Sequence, residues 1–542
     1  MNPVVRILVL WRAQAAWLVL GALLFLGALA AGAALMGASG RLIALVISGG
    51  VALTPLLLQF TGTARVVLRY LERVVTHEAM FRALASLRIW LFMGLTRSAA
   101  GGLGLRRSGD VLARLVNDVD ALDGLYLRIL VPLLGAVLLL PILAVLLWHE
   151  LATALLVLIP FGYVAFFLPL RAARLARANS ARAGLAMSGL RSIVLDALTG
   201  LREVKIFAAE GRMLAAVQSR EAAYLAAQRD LVFRSSALNG RAYIAAQFGI
   251  LLALLVGLAG APVAAFIAVF VLILAFETVL GLPRAGLLYG RAAAAAVRVV
   301  SAAEAPAPVV DPPHPAAMPD GNAIAFEHVS FRYAPDLPYV FENLSLQLPR
   351  GSRTAILGPS GAGKSTIAAL LLKLVAPEAG QIRLGGADLA ALPSEAVRQR
   401  IAYLSQTTHL FADTIRHNLR LGDPTADDAR LWAALEMAQV AEAVRALPEG
   451  LDTWLGEGGQ TLSGGQGRRL ALARTLLSDA PILVLDEPCA GLDVATEMEF
   501  MRTLNAAVTG RTVLLILHRL TGAEQLDRIW RLTAGTLVAA AG

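Results

Sequence analysis

Two regimes of hydrophobic patterning divide the chain. Up to about residue 282 the apolar residues come in long, nearly unbroken runs. Beyond residue 320 they fall into short strand-like and helix-like groups. Crossing a bilayer takes about 20 mostly apolar residues. The run Trp17–Met36 has no charge and meets that length, and so does Leu42–Ala64. Ile129–Trp148 and Leu151–Leu170 form a second pair around the short polar turn His149–Glu150. Ala242–Gly260 and Ala261–Leu282 form a third, hinged near Pro262. A single such run is also what a buried core helix looks like. Six of them in the first 282 residues predict six spans in three hairpins. The first run has no clear small-residue cleavage site behind it, so it is expected to be a retained helix and not a signal peptide.

The connections between hairpins, 65–128 and 171–241, are not loop-like. Apolar residues recur at three- and four-residue spacing, the period of a helix. A helix of about 40 residues rises about 60 Å, enough to carry the membrane helices well beyond the bilayer and back. Gly101, Gly102 and Gly104 interrupt the first connection, and Gly200 and Gly211 punctuate the second. These turning points are where such helices would meet a soluble domain. Then Ala305–Asp320 carries Pro306, Pro308, Pro312, Pro313, Pro315 and Pro319, an extended linker by composition. The expected architecture is an all-α, six-helix transmembrane domain over 1–303, a linker over 304–320, and an α/β phosphate-loop domain over 321–542.

Composition sharpens this picture. Of 542 residues, 57% are hydrophobic and 16% charged, which excludes disorder and a small disulfide scaffold. The single cysteine, Cys489, permits no intrachain disulfide and lies far from any expected transport path, so it reads as structural. The net charge of +9 does not require nucleic acid as a partner, because of where the arginines fall. Arg65, Arg69, Arg73, Arg82 and Arg88 lie in the first long connection, and Arg171, Arg174, Arg177, Arg182 and Arg191 in the second. The short connections are nearly uncharged, Arg41 being the main exception. The positive-inside rule then puts both long connections and both termini in the cytoplasm.

Chemistry is concentrated in the second half. Gly358-Pro-Ser360-Gly361-Ala-Gly363-Lys364-Ser365-Thr366 follows the strand-like Thr354–Leu357 and precedes the helical run Ile367–Leu374. That is the setting of a phosphate-binding loop. The glycines let backbone N–H groups wrap phosphates, Lys364 reaches the terminal phosphates, and Ser365 is suited to Mg2+. The strand Ile482–Leu485 ends in Asp486, which suits the Mg2+ shell, and Glu487, which suits polarising the attacking water. Alone, two acids after a strand would be ordinary turn caps. Leu462-Ser463-Gly464-Gly465-Gln466 opens another helical run and forms a second anion site. One nucleotide does not need two, so the second is expected to close on a nucleotide held by another copy of the domain, which makes the working unit a dimer.

In this order and spacing the motifs resemble an ABC-transporter nucleotide-binding domain, over nearly all of 321–542. Leu462–Gln466 matches the family signature. The resemblance implies that Gln406 is the Q-loop glutamine at the metal site, Asp493 in Ala490-Gly-Leu-Asp493 the D-loop residue, and His518 the switch histidine. Tyr333 in Phe331-Arg-Tyr333 would stack on adenine. Gly467 departs from the pattern, since a basic residue usually follows the signature. Singly, each of these residues also fits a plain surface, capping or core role. Six spans followed by one such domain resemble an exporter half-transporter that works by alternating access.

The membrane half narrows the resemblance. Arg69-Tyr-Leu-Glu-Arg73-Val-Val-Thr-His77, Arg106-Arg-Ser-Gly-Asp110 and Leu115-Val-Asn-Asp118-Val-Asp120 resemble the CydC-type subunits of bacterial CydDC exporters. That implies a bacterial inner-membrane protein paired with a homologous CydD-type half, exporting cysteine and glutathione and supporting assembly of cytochrome bd oxidase. It also implies haem b, with His77 as ligand and Arg73, one helical turn earlier, beside it. The alternative for this pair is an interfacial polar contact. Glu277 is the one acid inside the six expected spans and is a candidate for substrate binding or gating, or for pairing at a helix interface. Gln59, Thr61, Thr63 and Gln247 either line a polar path or pack. A drug, lipid or peptide exporter, or a haem-linked assembly ATPase, shares the same engine.

Overall fold

The computed structural model describes residues 2–47, 55–98, 114–147, 151–260, 262–407, 409–456, 459, 461–489 and 494–540. The chain divides into two compact units, the first ending at Ala305 and the second running on from Pro306.

The first unit is helical. It comprises α1 (Pro3–Leu10), α2 (Ala15–Ile47), α3 (Pro55–Ser98), α4 (Val131–Leu147), α5 (Leu151–Gly162), α6 (Leu168–Thr199), α7 (Leu201–Ile206), α8 (Glu210–Gly260), α9 (Pro262–Val279) and α10 (Leu282–Ala303). Wider π-helical turns, Arg114–Asp118, Leu125–Leu130 and Tyr163–Phe167, join some of these pieces. Among the described residues, six helical segments are long and apolar enough to cross a membrane.

One expected boundary shifts. The second span was expected to begin at Leu42, but α2 continues through Gly37, Gly40 and Arg41 to Ile47. The glycines there are a packing notch and not a turn. A Cβ on Gly40 would sit 2.7 Å from the Phe266 carbonyl oxygen of α9, and one on Gly32 would touch Leu274. Small residues let helix backbones approach closely where apolar lipid offers no hydrophobic drive. The same device recurs between α10 and α6, where Gly286 faces the Pro169 carbonyl and Gly290 faces Ala176. Of the expected turning points, Gly200 separates α6 from α7, Gly211 lies in the first turn of α8, and Gly101, Gly102 and Gly104 lie outside the described residues. The unit has two apolar cores, one around Leu139, Phe161 and Phe276 and one around Ile7, Met80, Leu87, Leu91 and Val299.

The second unit is α/β. A four-stranded antiparallel sheet has the order β2-β1-β4-β5, with β1 (Ile324–Phe331), β2 (Phe341–Leu348), β4 (Ala379–Leu384) and β5 (Ala387–Asp388). A six-stranded sheet has the order β10-β9-β3-β8-β7-β6. Its strands are β3 (Arg353–Leu357), β6 (Ile401–Leu404), β7 (Ile482–Asp486), β8 (Thr512–Leu517), β9 (Arg528–Thr533) and β10 (Thr536–Ala539). All are parallel except β10, which pairs antiparallel with β9. Both faces of β7 and β8 are buried, which is why they read as continuous apolar runs with no alternation.

The proline-rich stretch forms no helix or strand, yet it is tied down. The Asp311 carboxylate accepts hydrogen bonds from the Ser394 N–H (2.9 Å), the Ser394 hydroxyl (2.5 Å) and the Lys373 ammonium (3.1 Å). Ala316 N–H donates to the Ala391 carbonyl.

A candidate ATP site at the carboxyl ends of the parallel strands

Ligands of open parallel sheets bind beyond the carboxyl ends of the strands. The strand order β3-β8-β7-β6 brings four sequence-distant segments to that edge. Gly358–Thr366 follows β3, His518 follows β8, Asp486 ends β7 with Glu487 next, and Gln406 follows β6.

The phosphate loop is shaped by its glycines. Gly361 and Gly363 have φ of +83° and +98°, which side chains rarely adopt. A Cβ on Gly363 would also lie 2.6 Å from Val340. Gly358 passes so close to β9 that a Cβ would meet the Leu532 carbonyl oxygen at 2.5 Å. Ser360 is exposed on the loop, and Lys364 is buried with its ammonium donating to the Gly358 and Pro359 carbonyls at 2.7 and 2.9 Å. The Ser365 hydroxyl donates to Asp486 Oδ2 at 2.5 Å. The Tyr333 hydroxyl shares a 3.0 Å hydrogen bond with the Thr366 hydroxyl, and its ring, packed edge-on against Phe331, is largely exposed.

The carboxylates gather the rest. Gln406 Nε2 donates to Glu487 Oε1 at 3.2 Å, and the same oxygen contacts His518 Nε2. Burial pushes the Asp486 carboxyl above its ordinary range and the Lys364 ammonium below its own. A phosphate beside Lys364 and a divalent cation beside Asp486 would reverse those two costs. Asp486, Ser365 and Gln406 offer the few hard oxygens that Mg2+ takes when substrate phosphates and water complete its shell. The residues present therefore fit Mg-ATP. A cleft lined by Gly358, Pro359, His518, Arg519 and Arg531 opens beside the loop.

Ser463 caps the helix Gly464–Leu477 through a reciprocal pair of bonds with Gln466. Gly464 and Gly465 face open space. Ser463 and Gly464 thus stand exposed at a helix start, while Leu462 packs against the core. Asp493 lies outside the described residues. Cys489 is buried, and burial pushes its thiol up to about 12, as expected of a structural cysteine.

Two residues were not singled out from the sequence. Arg468, one place after the aberrant Gly467, reaches back to the C-terminal end of β7 and donates to the backbone carbonyls of Asp486 and Glu487. Glu72 is buried on α3 with Arg69 3.7 Å away. Helical spacing carries the signal for Glu72, which shares its face with Thr76, Ala79, Met80, Ala83 and Leu87, all buried. It falls outside the expected spans because the apolar run ends at Ala64, whereas α3 runs on without a break to Ser98.

Elsewhere in the first unit, Glu277 is exposed and paired with Arg65 at 3.4 Å, so it stands as a paired residue. Thr61 is buried with its hydroxyl bonded to the Leu57 carbonyl within its own helix, while Gln59, Thr63 and Gln247 are exposed. His77 and Arg73 are both exposed. His77 Nδ1 bonds the Arg73 carbonyl oxygen at 2.8 Å, and its ring lies edge-on to Phe81.

Fold and site together define a membrane-embedded ATPase of the exporter type. The family model described as ABC transporter transmembrane region matches residues 18–282, and the ABC transporter model matches 341–490. The chain belongs to the ABC transporter family as an exporter half-transporter, a multi-pass membrane protein that couples ATP hydrolysis to transport. Within that family it is 34% identical to the glutathione/L-cysteine transport system ATP-binding/permease protein CydC of Escherichia coli (strain K12), over 87% of this chain and 83% of the relative. It is 31% identical to the CydD protein of the same system in Bacillus subtilis (strain 168), over 86% and 82%. The ATP-dependent lipid A-core flippase of Ralstonia nicotianae is 44% identical, over 40% of this chain and 37% of its own length. Among solved structures, a bacterial Atm1-family ABC exporter with ATP bound superposes with a TM-score of 0.84 at 26% identity, covering 97% of this chain and 94% of the other.

Proposed function

We propose that this chain is one half of a heterodimeric exporter that moves small thiols, cysteine or glutathione, from the cytoplasm to the periplasm. Its partner is a homologous CydD-type half in a bacterial inner membrane, with both termini of this chain cytoplasmic. The observation that carries the reading is that similarity to CydC runs through both halves of the chain, whereas the lipid A-core flippase is similar over only 40% of it. Substrate choice resides in the membrane half, so a match that includes it is the one that bears on cargo.

At the engine, Lys364 and the loop Gly358–Thr366 hold the phosphates, and Tyr333 faces the base. Ser365, Asp486 and Gln406 hold Mg2+, which when bound neutralises charge on the transferring phosphate. Glu487 orients and polarises the attacking water, and His518 contacts the terminal phosphate. Ser463, Gly464, Gly465 and Gln466 close on ATP held by the partner, and Asp493 takes the D-loop role that the resemblance implies. ATP thereby joins the two nucleotide domains, and hydrolysis releases them.

A second reading, a haem-linked role in assembling cytochrome bd oxidase, draws on His77. Its Nδ1 bond to the Arg73 carbonyl fixes one ring nitrogen and leaves Nε2 on an exposed face, an arrangement common to metal-ligating histidines. Neither His77 nor Arg73 lies in an enclosing pocket, since both are exposed. The test is the purified two-subunit transporter. ATPase stimulation by cysteine or glutathione supports the thiol reading. Stimulation by lipid A or drugs alone overturns it. A Soret band lost in His77→Ala would favour the second reading, and an unchanged band would remove His77 from it.

A further inference from the structure

Glu487 has an unusual backbone. Its φ is +51°, in the left-handed region that residues with a side chain rarely adopt. Such conformers persist only where their surroundings over-determine them. The Glu487 N–H donates to the Ile516 carbonyl of β8 at 2.9 Å. Its own carbonyl accepts from Arg468 Nη2, and that nitrogen also donates to the Asp486 carbonyl at 2.8 Å. Arg468 Nη1 donates to the Gln406 carbonyl at 2.6 Å. One half-buried guanidinium therefore grips the backbone of three residues that bear the hydrolytic side chains. Arg468 sits on the helix that Ser463 caps, two positions after Gln466. The next residue, Arg469, faces the other way and donates to the carbonyl of Gln439, another left-handed residue (φ +53°).

We propose that Arg468 is a positioning residue for hydrolysis: it locks the Glu487 backbone in the conformation that aims its carboxylate, and yokes that residue and the Gln406 loop to the signature helix. This rests on the site roles assigned above. Arg468 acts through the three carbonyls. A planar guanidinium suits this task because its two terminal nitrogens point at separate acceptors in fixed geometry, which a lysine ammonium cannot reproduce. Because Ser463–Gln466 and Arg468 share one and a half turns of helix, a shift of the signature loop reaches Glu487 through a single side chain.

The experiment uses the complete two-subunit transporter with Mg-ATP as the probe, and measures kcat, KM and thermal unfolding. Arg468→Met keeps the stem and deletes every donor; Arg468→Lys keeps the charge. Misplacement of a reacting group by about 1 Å costs on the order of 100-fold. Arg468→Met is expected to lower kcat about 10- to 100-fold, toward the level of Glu487→Gln, with KM changed by less than about twofold. Arg468→Lys is expected to recover part of the loss. Wild-type kcat in Arg468→Met overturns the inference, and so does a raised KM with kcat kept. Equal loss in both variants together with lost nucleotide binding and a collapsed unfolding temperature also overturns it, since that is a purely structural role. Wild-type turnover in Glu487→Gln would instead remove the site reading beneath it.

Discussion

Asp311→Ala perturbs the anchoring of the linker. In the wild-type chain its carboxylate accepts three hydrogen bonds, two from Ser394 and one from the Lys373 ammonium. The Lys373 side chain is 4% exposed, and its remaining partner is the Leu392 carbonyl at 2.5 Å. Removing one partner of a buried ion pair costs about 3–5 kcal/mol. Asp311 itself is 38% exposed, so water replaces part of what is lost and screens the rest. A cost of about 1–3 kcal/mol is the reasonable expectation, which is about a 5- to 150-fold shift in the docked population. Hydrogen exchange of the intact transporter reads this directly, because the Ala316 N–H is bonded to the Ala391 carbonyl only while the linker is docked. Exchange there should quicken by that factor in Asp311→Ala and less in Asp311→Asn, which still accepts from Ser394. Equal exchange at Ala316 in all three proteins would show that Asp311 does not anchor the linker. The pH dependence has a fixed sign. Burial alone would raise the Asp311 carboxyl, but the bonds from Ser394 and Lys373 outweigh it and hold the group below its ordinary range. A depressed folded value means the anchor is complete above the unfolded value of about 4 and is lost as pH falls below it. Intrinsic-rate-corrected protection should be flat from neutral pH down to about 5 and then fall.

Three further outcomes follow from named contacts. Gly363→Ala combines a φ of +98° with a 2.6 Å approach to Val340, so ATP affinity measured by equilibrium binding should drop by about tenfold or more. Gly94→Ala would drive a Cβ to 2.3 Å from the Ala303 carbonyl oxygen, a backbone atom that cannot swing away. Overpacking of this kind costs about 1–3 kcal/mol and should lower the apparent unfolding temperature of the purified protein by several degrees, while a variant as stable as wild type would show that α3 and α10 are free to separate. His518→Ala removes the group that contacts Glu487 Oε1 and should lower kcat about 100-fold with a smaller effect on KM.

Much of the site was legible because its chemistry is local. A phosphate loop needs consecutive glycines between a strand and a helix, and a buried strand ending in acids is visible as an apolar run with a charged stop. What the sequence could not display was contact between distant segments. Arg468 reads as one of two arginines on a polar helix face, and only the parallel order β3-β8-β7-β6 carries the ends of β6 and β7 to its guanidinium. Glu72 was hidden for a different reason: the apolar run stops at Ala64, but the helix does not. The first break was misplaced because glycines at 37 and 40 signal a turn as readily as a notch for a neighbouring backbone. The prolines of the linker correctly excluded regular structure and carried no hint of the Asp311 anchor, whose partners lie 62 and 83 residues away.

Thiol transport driven by this chain's ATPase is the step that separates a CydC-like exporter from a lipid or drug exporter. Inverted membrane vesicles containing the chain and its partner half test it, with uptake of labelled cysteine and glutathione followed on addition of Mg-ATP. A thiol exporter shows ATP-dependent accumulation of thiol that Glu487→Gln abolishes. ATP hydrolysis at wild-type rates with no thiol accumulation, or accumulation that persists in Glu487→Gln, would contradict it.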